Sequence, residues 1–176
     1  MPTTKKASTK KTVTTVGAVV VEAAVPQAAS GSAYDSARRT LAGLVAGRLQ
    51  KLSVDQVDLA WASAEPRRMM ALYAALAQVG TNYRYTGNEP GGFDCSGLTS
   101  YAWAVAGVKI PRTSTDQINA AIPRSENQLL PGDLVWRPGH IMMYLGVGDF
   151  AIDSPQTGKQ VRVRQWGRTS RFGSPI

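Results

Sequence analysis

The sequence predicts an α+β fold, with helices packed on a small antiparallel β-sheet and a reactive side chain at a helix N-terminus. Three observations lead there. Apolar residues recur at helical spacing in the first two thirds of the chain, up to about residue 106. From Asp133 onward the pattern changes to short apolar or alternating runs, split by Pro-Gly, Gly-Val-Gly and Thr-Gly turns. The lone cysteine sits where a Gly-rich loop enters a helix, in Gly-Phe-Asp-Cys-Ser-Gly at residues 92–97. Helices first and strands after is an α+β order, and no internal repeat competes with it.

Residues 1–30 are rich in Lys, Thr, Ala and Val. Lys5, Lys6, Lys10 and Lys11 form a positive block, an apolar stretch runs from Val13 to Val25, and Ala28, Ala29 and Ser30 follow. That order is like a secretory signal peptide, with small residues before a cut. Glu22 and Pro26 interrupt it, so a disordered basic tail is the other reading. Residues 31–65 read as a helical N-terminal segment in which Leu41, Leu44, Val45 and Leu49 share a face. Ser53 with Gln56 is a capping-box pattern for a second helix, and Leu52 with Val57 completes a hydrophobic staple. Whether this segment is scaffold, arm or cover is left open by the sequence.

The main domain is expected over residues 66–176. Pro66 suits the first turn of a helix that runs through Met69, Met70, Tyr73 and Leu76 to about Gly80. Residues 81–93 read as loop, punctuated by Gly87, Pro90, Gly91 and Gly92. Residues 95–106 regain helical character with Leu98, Tyr101, Ala102 and Val105 on one face, and Gly107 ends the run. Strands are expected at 134–136, 141–145, 150–152 and 161–163.

At 176 residues and 43% hydrophobic, the chain has material for one packed domain and a flank. No run of about 18 apolar residues occurs, so no stable membrane insertion is expected. The net charge is +8, divided as +3 over residues 1–30 and +5 over the rest, with Arg162, Arg164, Arg168 and Arg171 crowding the C-terminal end. Such a surface suits an anionic polymer such as a cell wall, an anionic membrane or nucleic acid. Nucleic acid is not expected, because no zinc-finger spacing or stacked aromatic–basic motif accompanies the charge. One Cys and one His rule out an intrachain disulfide and leave no basis for a structural zinc; no metal or cofactor is expected.

Chemistry concentrates on that Cys and that His. Asp94 is a good N-cap, which puts Cys95 in the first turn of its helix. There the unpaired amide N–H groups and the helix dipole favour a thiolate, the nucleophilic form of cysteine. A lone cysteine is more often a buried, inert one, but a polar, Gly-flanked helix start is an odd place for a core thiol. His140 follows Arg137-Pro138-Gly139 and opens a strand in which His140, Met142 and Tyr144 share a face. From a strand end it can reach a helix start and act as base and then acid; the plain alternative is a surface histidine at a turn. Asp153 is the candidate to orient the ring, against a turn-capping role before Ser154-Pro155.

With those residues in place, the chain resembles the NlpC-type cell-wall endopeptidases, papain-like cysteine peptidases of bacteria and their phages. Four segments carry the likeness: Gly92-Phe-Asp-Cys-Ser-Gly-Leu-Thr99; Pro111-Arg-Thr-Ser114 with Gln117; Pro131-Gly-Asp-Leu-Val135; and Gly139-His140 with Tyr144-Leu-Gly146. The likeness as a whole runs from about Met70 to Arg164. The resemblance implies a papain-like fold and hydrolysis of amide bonds in peptidoglycan stem peptides, commonly between D-glutamate, through its γ-carboxyl, and a diamino acid. It implies Cys95 as nucleophile, His140 as base, Tyr83 lining the site, and Asp94 with Ser96 holding a peptide amine. Arg112 is structural, placed to meet a substrate carboxylate, or simply solvated. A secreted, cell-wall or periplasmic monomer is expected. One departure stands out: the third catalytic position, usually His and sometimes Asn or Gln, falls on Asp153. The competing functions are a non-catalytic wall-binding module and an acyl or peptidyl transferase on the same scaffold.

Overall fold

The computed structural model describes residues 31–167 and 171–176. The signal-like segment 1–30 and Arg168 lie outside the described residues. Helices α1 (Gly31–Leu49), α2 (Val54–Ala62) and α3 (Pro66–Leu76) come first. A two-residue hairpin, β1 (Asn88–Glu89) and β2 (Gly92–Phe93), leads into α4 (Cys95–Val105) and α5 (Ser114–Ala120). Then follow β3 (Ile122–Arg124), a 3-10 turn at Glu126–Gln128, β4 (Leu134–Arg137), β5 (His140–Tyr144), β6 (Phe150–Asp153), β7 (Arg162–Gln165) and β8 (Arg171–Ser174). The last six strands form one antiparallel sheet in the order β3-β8-β4-β5-β6-β7. The predicted α+β architecture is the observed one.

The Ser53–Gln56 capping box forms as read, with Gln56 N–H donating to Ser53 Oγ at 3.1 Å and Ser53 N–H to Gln56 Oε1 at 2.8 Å. Pro66 opens α3. That helix stops at Leu76 rather than Gly80, and turns carry the chain to Gly80, whose φ of +96° suits glycine. Two apolar faces are corrected. Leu44 points to solvent, because α1 buries the small residues Ala42 and Ala46 with Val45 against α2 and so turns its leucine outward. Val105 is also exposed, because Ala102 and the large ring of Trp103 take the inward face of α4. The hairpin inside 81–93, helix α5 and strands β3 and β8 went unread. The last expected strand lies a residue or two further on, at β7.

α1 and α2 share a core with the rest. Ala42, Val45, Val57 and Trp61 join Met69, Leu72, Leu98, Trp103, Met143 and Ile152 in one buried cluster. Trp61 Nε1–H also donates to Leu145 C=O at 2.7 Å, tying α2 to the end of β5. The opposite face of the sheet packs Val135, Met142, Tyr144, Ala151 and Trp166 together. The predicted alternation along β5 is therefore observed, with His140, Met142 and Tyr144 on that face.

A buried ion pair closes the base of the fold. Arg68 Nη1 lies 2.6 Å from Asp133 Oδ1, with both side chains almost wholly buried. Arg68 also donates to Pro131 C=O at 3.3 Å and to Ser174 Oγ at 2.5 Å. It thus joins α3, the turn before β4 and the C-terminal strand β8. Truncating it strands a buried carboxylate. Arg68→Ala is expected to cost about 3–5 kcal/mol, and Asp133→Asn combined with Arg68→Met less than that. Urea unfolding followed by circular dichroism measures both.

Candidate active site

The site is built outward from the start of α4. Asp94 caps the helix from an extended backbone (φ −88°, ψ 177°), and its Oδ1 accepts the Gly97 N–H at 2.6 Å. Its own N–H donates to Gly87 C=O at 2.9 Å. Gly97 packs so tightly on Gly87 that a Cβ there would overlap the Gly87 carbonyl oxygen. The helix start is thus pressed onto the preceding loop, and Cys95 is its first residue.

Asp94 has a second partner that sequence reading missed. Arg112 forks onto it, Nη2 to Oδ2 at 2.6 Å and Nη1 to Oδ1 at 3.0 Å, and also reaches Ser96 Oγ at 2.9 Å. Arg112 is therefore not a solvated arginine. Asp94 pushes its pKa upward, against the opposing effect of burial. Gln117 fixes this corner: its Nε2–H₂ donates to Ser96 C=O at 2.9 Å and to Pro111 C=O at 2.8 Å, and its Oε1 accepts from Thr99 Oγ1 at 2.7 Å. The Pro-Arg-Thr-Ser segment and Gln117 form one brace that places Arg112 beside the helix start.

Strand β5 supplies the imidazole. Pro138 and Gly139 make the turn from β4, Gly139 at a φ of +77°, and His140 pairs with Arg137 as the first residue of the new strand. The partly buried Cys95 side chain packs on Ile118, Leu134 and Ile141. Burial pushes the Cys95 thiol up, but the His140 ring and the Ile141 N–H outweigh it and hold its pKa below the ordinary thiol value. His140 is the mirror case. Burial disfavours its charge, yet hydrogen bonds to Asp153 and Cys95 raise the ring above its usual value.

Asp153, at the end of β6, lies behind the ring. His140 Nε2 is 3.0 Å from Asp153 Oδ2, and the carboxylate is completely buried. With Nε2 committed there, Nδ1 is the nitrogen left for the thiol. Burial alone would push Asp153 up; His140 and Arg164 reverse this and hold it below the usual carboxylate range. Arg164 Nε donates to the same Oδ2 at 2.9 Å, and Arg162 Nε reaches Oδ1 at 3.4 Å. The next residue, Ser154, is also bound, its Oγ–H donating to Phe93 C=O at 2.6 Å. That bond staples the end of β6 to the residue before the helix cap. Arg164 was missed; the Arg-Val-Arg alternation after an aspartate-ending strand was the available signal.

His140 and Asp153 are joined at 3.0 Å, and His140 lowers the pKa of Cys95, which opens the helix whose start also holds Asp94, Ser96 and Arg112. Tyr83 completes this side. Its N–H donates to Lys159 C=O at 2.8 Å, and its hydroxyl pKa is raised first by burial and then by Asp94 and Cys95. Among the described residues no cluster of three or more His, Cys, Asp or Glu side chains is arranged to hold a metal.

Comparison with known proteins follows the same segments. The NlpC/P60 family model matches residues 80–170. Murein DD-endopeptidase MepH of Escherichia coli K12 is 34% identical over 113 residues, covering 58% of this chain and 41% of that protein. The chain thus spans less than half the length of the curated relatives it matches. Among solved structures, the NlpC/p60 domain of the peptidoglycan hydrolase SagA aligns with a TM-score of 0.55 at 35% identity, covering 61% of this chain and 97% of that one. The peptidoglycan hydrolase RipB of Mycobacterium tuberculosis aligns at 0.59 and 25% identity, covering 82% and 84%.

Two outcomes are expected from this geometry. Cys95 should react with iodoacetamide well below pH 8.5, about where an ordinary thiol ionises. His140→Ala should abolish that advantage, as the rate measured against pH will report. Gly97→Ala should displace the helix start, with alkylation of Cys95 reverting toward that of a free thiol and thermal stability falling.

Proposed function

The chain belongs to the NlpC/P60 family, and on that premise we propose that it is a cysteine peptidase that cuts amide bonds in peptidoglycan stem peptides. The observation that carries the reading is the row Cys95–His140–Asp153, with the thiol at a helix start and the ring's far nitrogen on a buried carboxylate. The catalytic unit is residues 66–176, with the helices of 31–65 packed on it as scaffold.

Chemistry follows from the charges. Cys95 passes its proton to His140, giving a thiolate–imidazolium pair that Asp153 orients. The thiolate attacks the scissile carbonyl. The N–H groups of Cys95 and Ser96, at the helix start where intrahelical acceptors are lacking, receive the oxyanion. The imidazolium protonates the departing amine and leaves a thioester on Cys95. His140 then takes a proton from water, whose oxygen attacks the thioester and frees the thiol. Activity rises with pH as the thiol ionises, at a pKa lowered by His140, and falls as the imidazolium loses its proton, at a pKa raised by Asp153.

Tyr83, Asp94, Ser96 and Arg112 form the substrate side. Asp94 accepts the free amine of the stem peptide, and Arg112 shares that charge while offering N–H donors to a substrate carboxylate. The bond is the amide between the γ-carboxyl of D-glutamate and a diamino acid. A second reading, cleavage between two D-centres, is favoured by the relative called a murein DD-endopeptidase. The basic groove lined by Arg48, Lys159 and Arg162 supports contact with an anionic wall. The chain works as a secreted monomer in the wall or periplasm; among the described residues no helix is long and apolar enough to cross a membrane.

Incubation with purified muropeptides, followed by mass spectrometry of the products, tests the reading. New D-glutamate and diamino-acid termini are expected, and Cys95→Ala should lower the rate on the order of a thousandfold or more. Fragments ending in D-alanine would select the second bond. Adducts with an added amine in place of hydrolysis would point to a transferase. Intact muropeptides with the native chain would defeat the peptidase reading.

A further inference from the structure

Asp153 is more heavily engaged than an orienting carboxylate needs to be. Its side chain is fully buried, and Oδ2 accepts from two donors at nearly the same length, His140 Nε2 at 3.0 Å and Arg164 Nε at 2.9 Å. Arg164 is itself well held. Nη1 donates to Gln165 C=O at 2.9 Å, Nη2 lies 3.5 Å from Met142 Sδ, and the side chain is 26% exposed. Arg162 is the looser of the pair, 47% exposed and 3.4 Å from Oδ1.

The strand register produces this. β6 and β7 pair with Asp153 opposite Arg162 and Ala151 opposite Arg164. Residues 162 and 164 therefore share a face of β7, the face to which Asp153 points from β6. A cation fixed on the oxygen that the ring uses withdraws part of the carboxylate's field from the ring, and low local polarity makes the effect larger than it would be in water. The same cation keeps a buried carboxylate ionised where burial alone would favour its neutral form.

We infer that Arg164 is a positioning residue of this site: it pins the Asp153 carboxylate and divides Oδ2 with the His140 ring, moderating how strongly that carboxylate holds the imidazolium. The inference rests on the reading of His140 as base and Asp153 as its orienter. The charged and titratable groups that bear on the ring are Cys95 from α4, Arg137 opposite it on β4, Asp153 from β6 and, through Asp153, Arg162 and Arg164 from β7.

His140 is the single histidine in the chain, so its ring Cε1–H signal in a proton NMR titration is unique and needs no substrate. In Arg164→Gln the midpoint is expected to rise by about half a unit to one unit, because the carboxylate is no longer shared. Arg164→Lys keeps the charge but withdraws it from Oδ2. Its upward shift should be smaller, and it serves alone if the Gln variant does not fold. A midpoint equal to or below that of the native chain in the folded variants overturns the inference. Asp153→Asn separates the two levels of the reading. It should lower the midpoint; if it does not, the orienting role of Asp153 has failed. A responsive Asp153→Asn with unresponsive Arg164 variants removes Arg164 alone.

Discussion

Asp94 holds the reactive end of the molecule in place. One carboxylate terminates the Gly-rich loop, caps α4 through Gly97, and binds the guanidinium that arrives from the segment after the helix. Because α4 starts where that carboxylate is fixed, its first side chain projects toward β5, half-buried against Ile118, Leu134 and Ile141. The near contact of Gly97 with Gly87 makes the placement unforgiving, since a single methyl group has nowhere to go. The Ser154–Phe93 bond then links the end of β6 to the same corner. Helix and sheet are brought to one point by three short polar contacts, each made by a residue next to a proposed catalytic side chain.

Around that point charges of opposite sign follow one another. Arg112 faces Asp94; the Cys95 thiol, lowered toward its anion, faces His140; and His140 faces Asp153, which faces Arg164 and Arg162. Isolated, each buried member would be driven to its neutral form by loss of solvent. Burial is in fact the largest single influence on Cys95, His140 and Asp153, and in all three the neighbouring partners reverse its direction. The direction of each shift is therefore a property of the group and not of any one residue. Removing a central member leaves its neighbours with uncompensated burial, so the effects of substitutions within the row will not add.

Local signals were legible in the sequence and long-range ones were not. The capping box at Ser53, the cap at Asp94, the proline opening α3 and the alternation from His140 are written within a few residues each, and all were readable. Strands β1 and β2 are two residues long, below any periodicity, and β8 is recognised as a strand only once β4 and β3 flank it. Leu44 and Val105 misled because aliphatic size was taken as a sign of burial, whereas α1 buries Ala42 and Ala46 and α4 buries Ala102 and Trp103 instead. In the site, the adjacency of His140 and Asp153 follows from neighbouring strands. The Arg112 contact depends on a tertiary brace through Gln117 that no spacing rule encodes, and the Arg-Val-Arg alternation points to Arg164 only once the β6–β7 register is known.

That register also bears on the unusual third residue. The resemblance to NlpC-type enzymes leads one to expect an uncharged acceptor or a second imidazole behind the base, and a bare buried carboxylate would be a stronger partner than either. Such a carboxylate would hold the imidazolium tightly and resist the proton's departure to the leaving amine, because a general acid works best when its pKa lies near the ambient pH. A neighbouring arginine on the same oxygen moves the pair back toward the behaviour of a neutral acceptor while keeping the geometry of a carboxylate. The aspartate and the arginines of β7 are then one device, and the residue at position 153 cannot be judged without the residue at position 164.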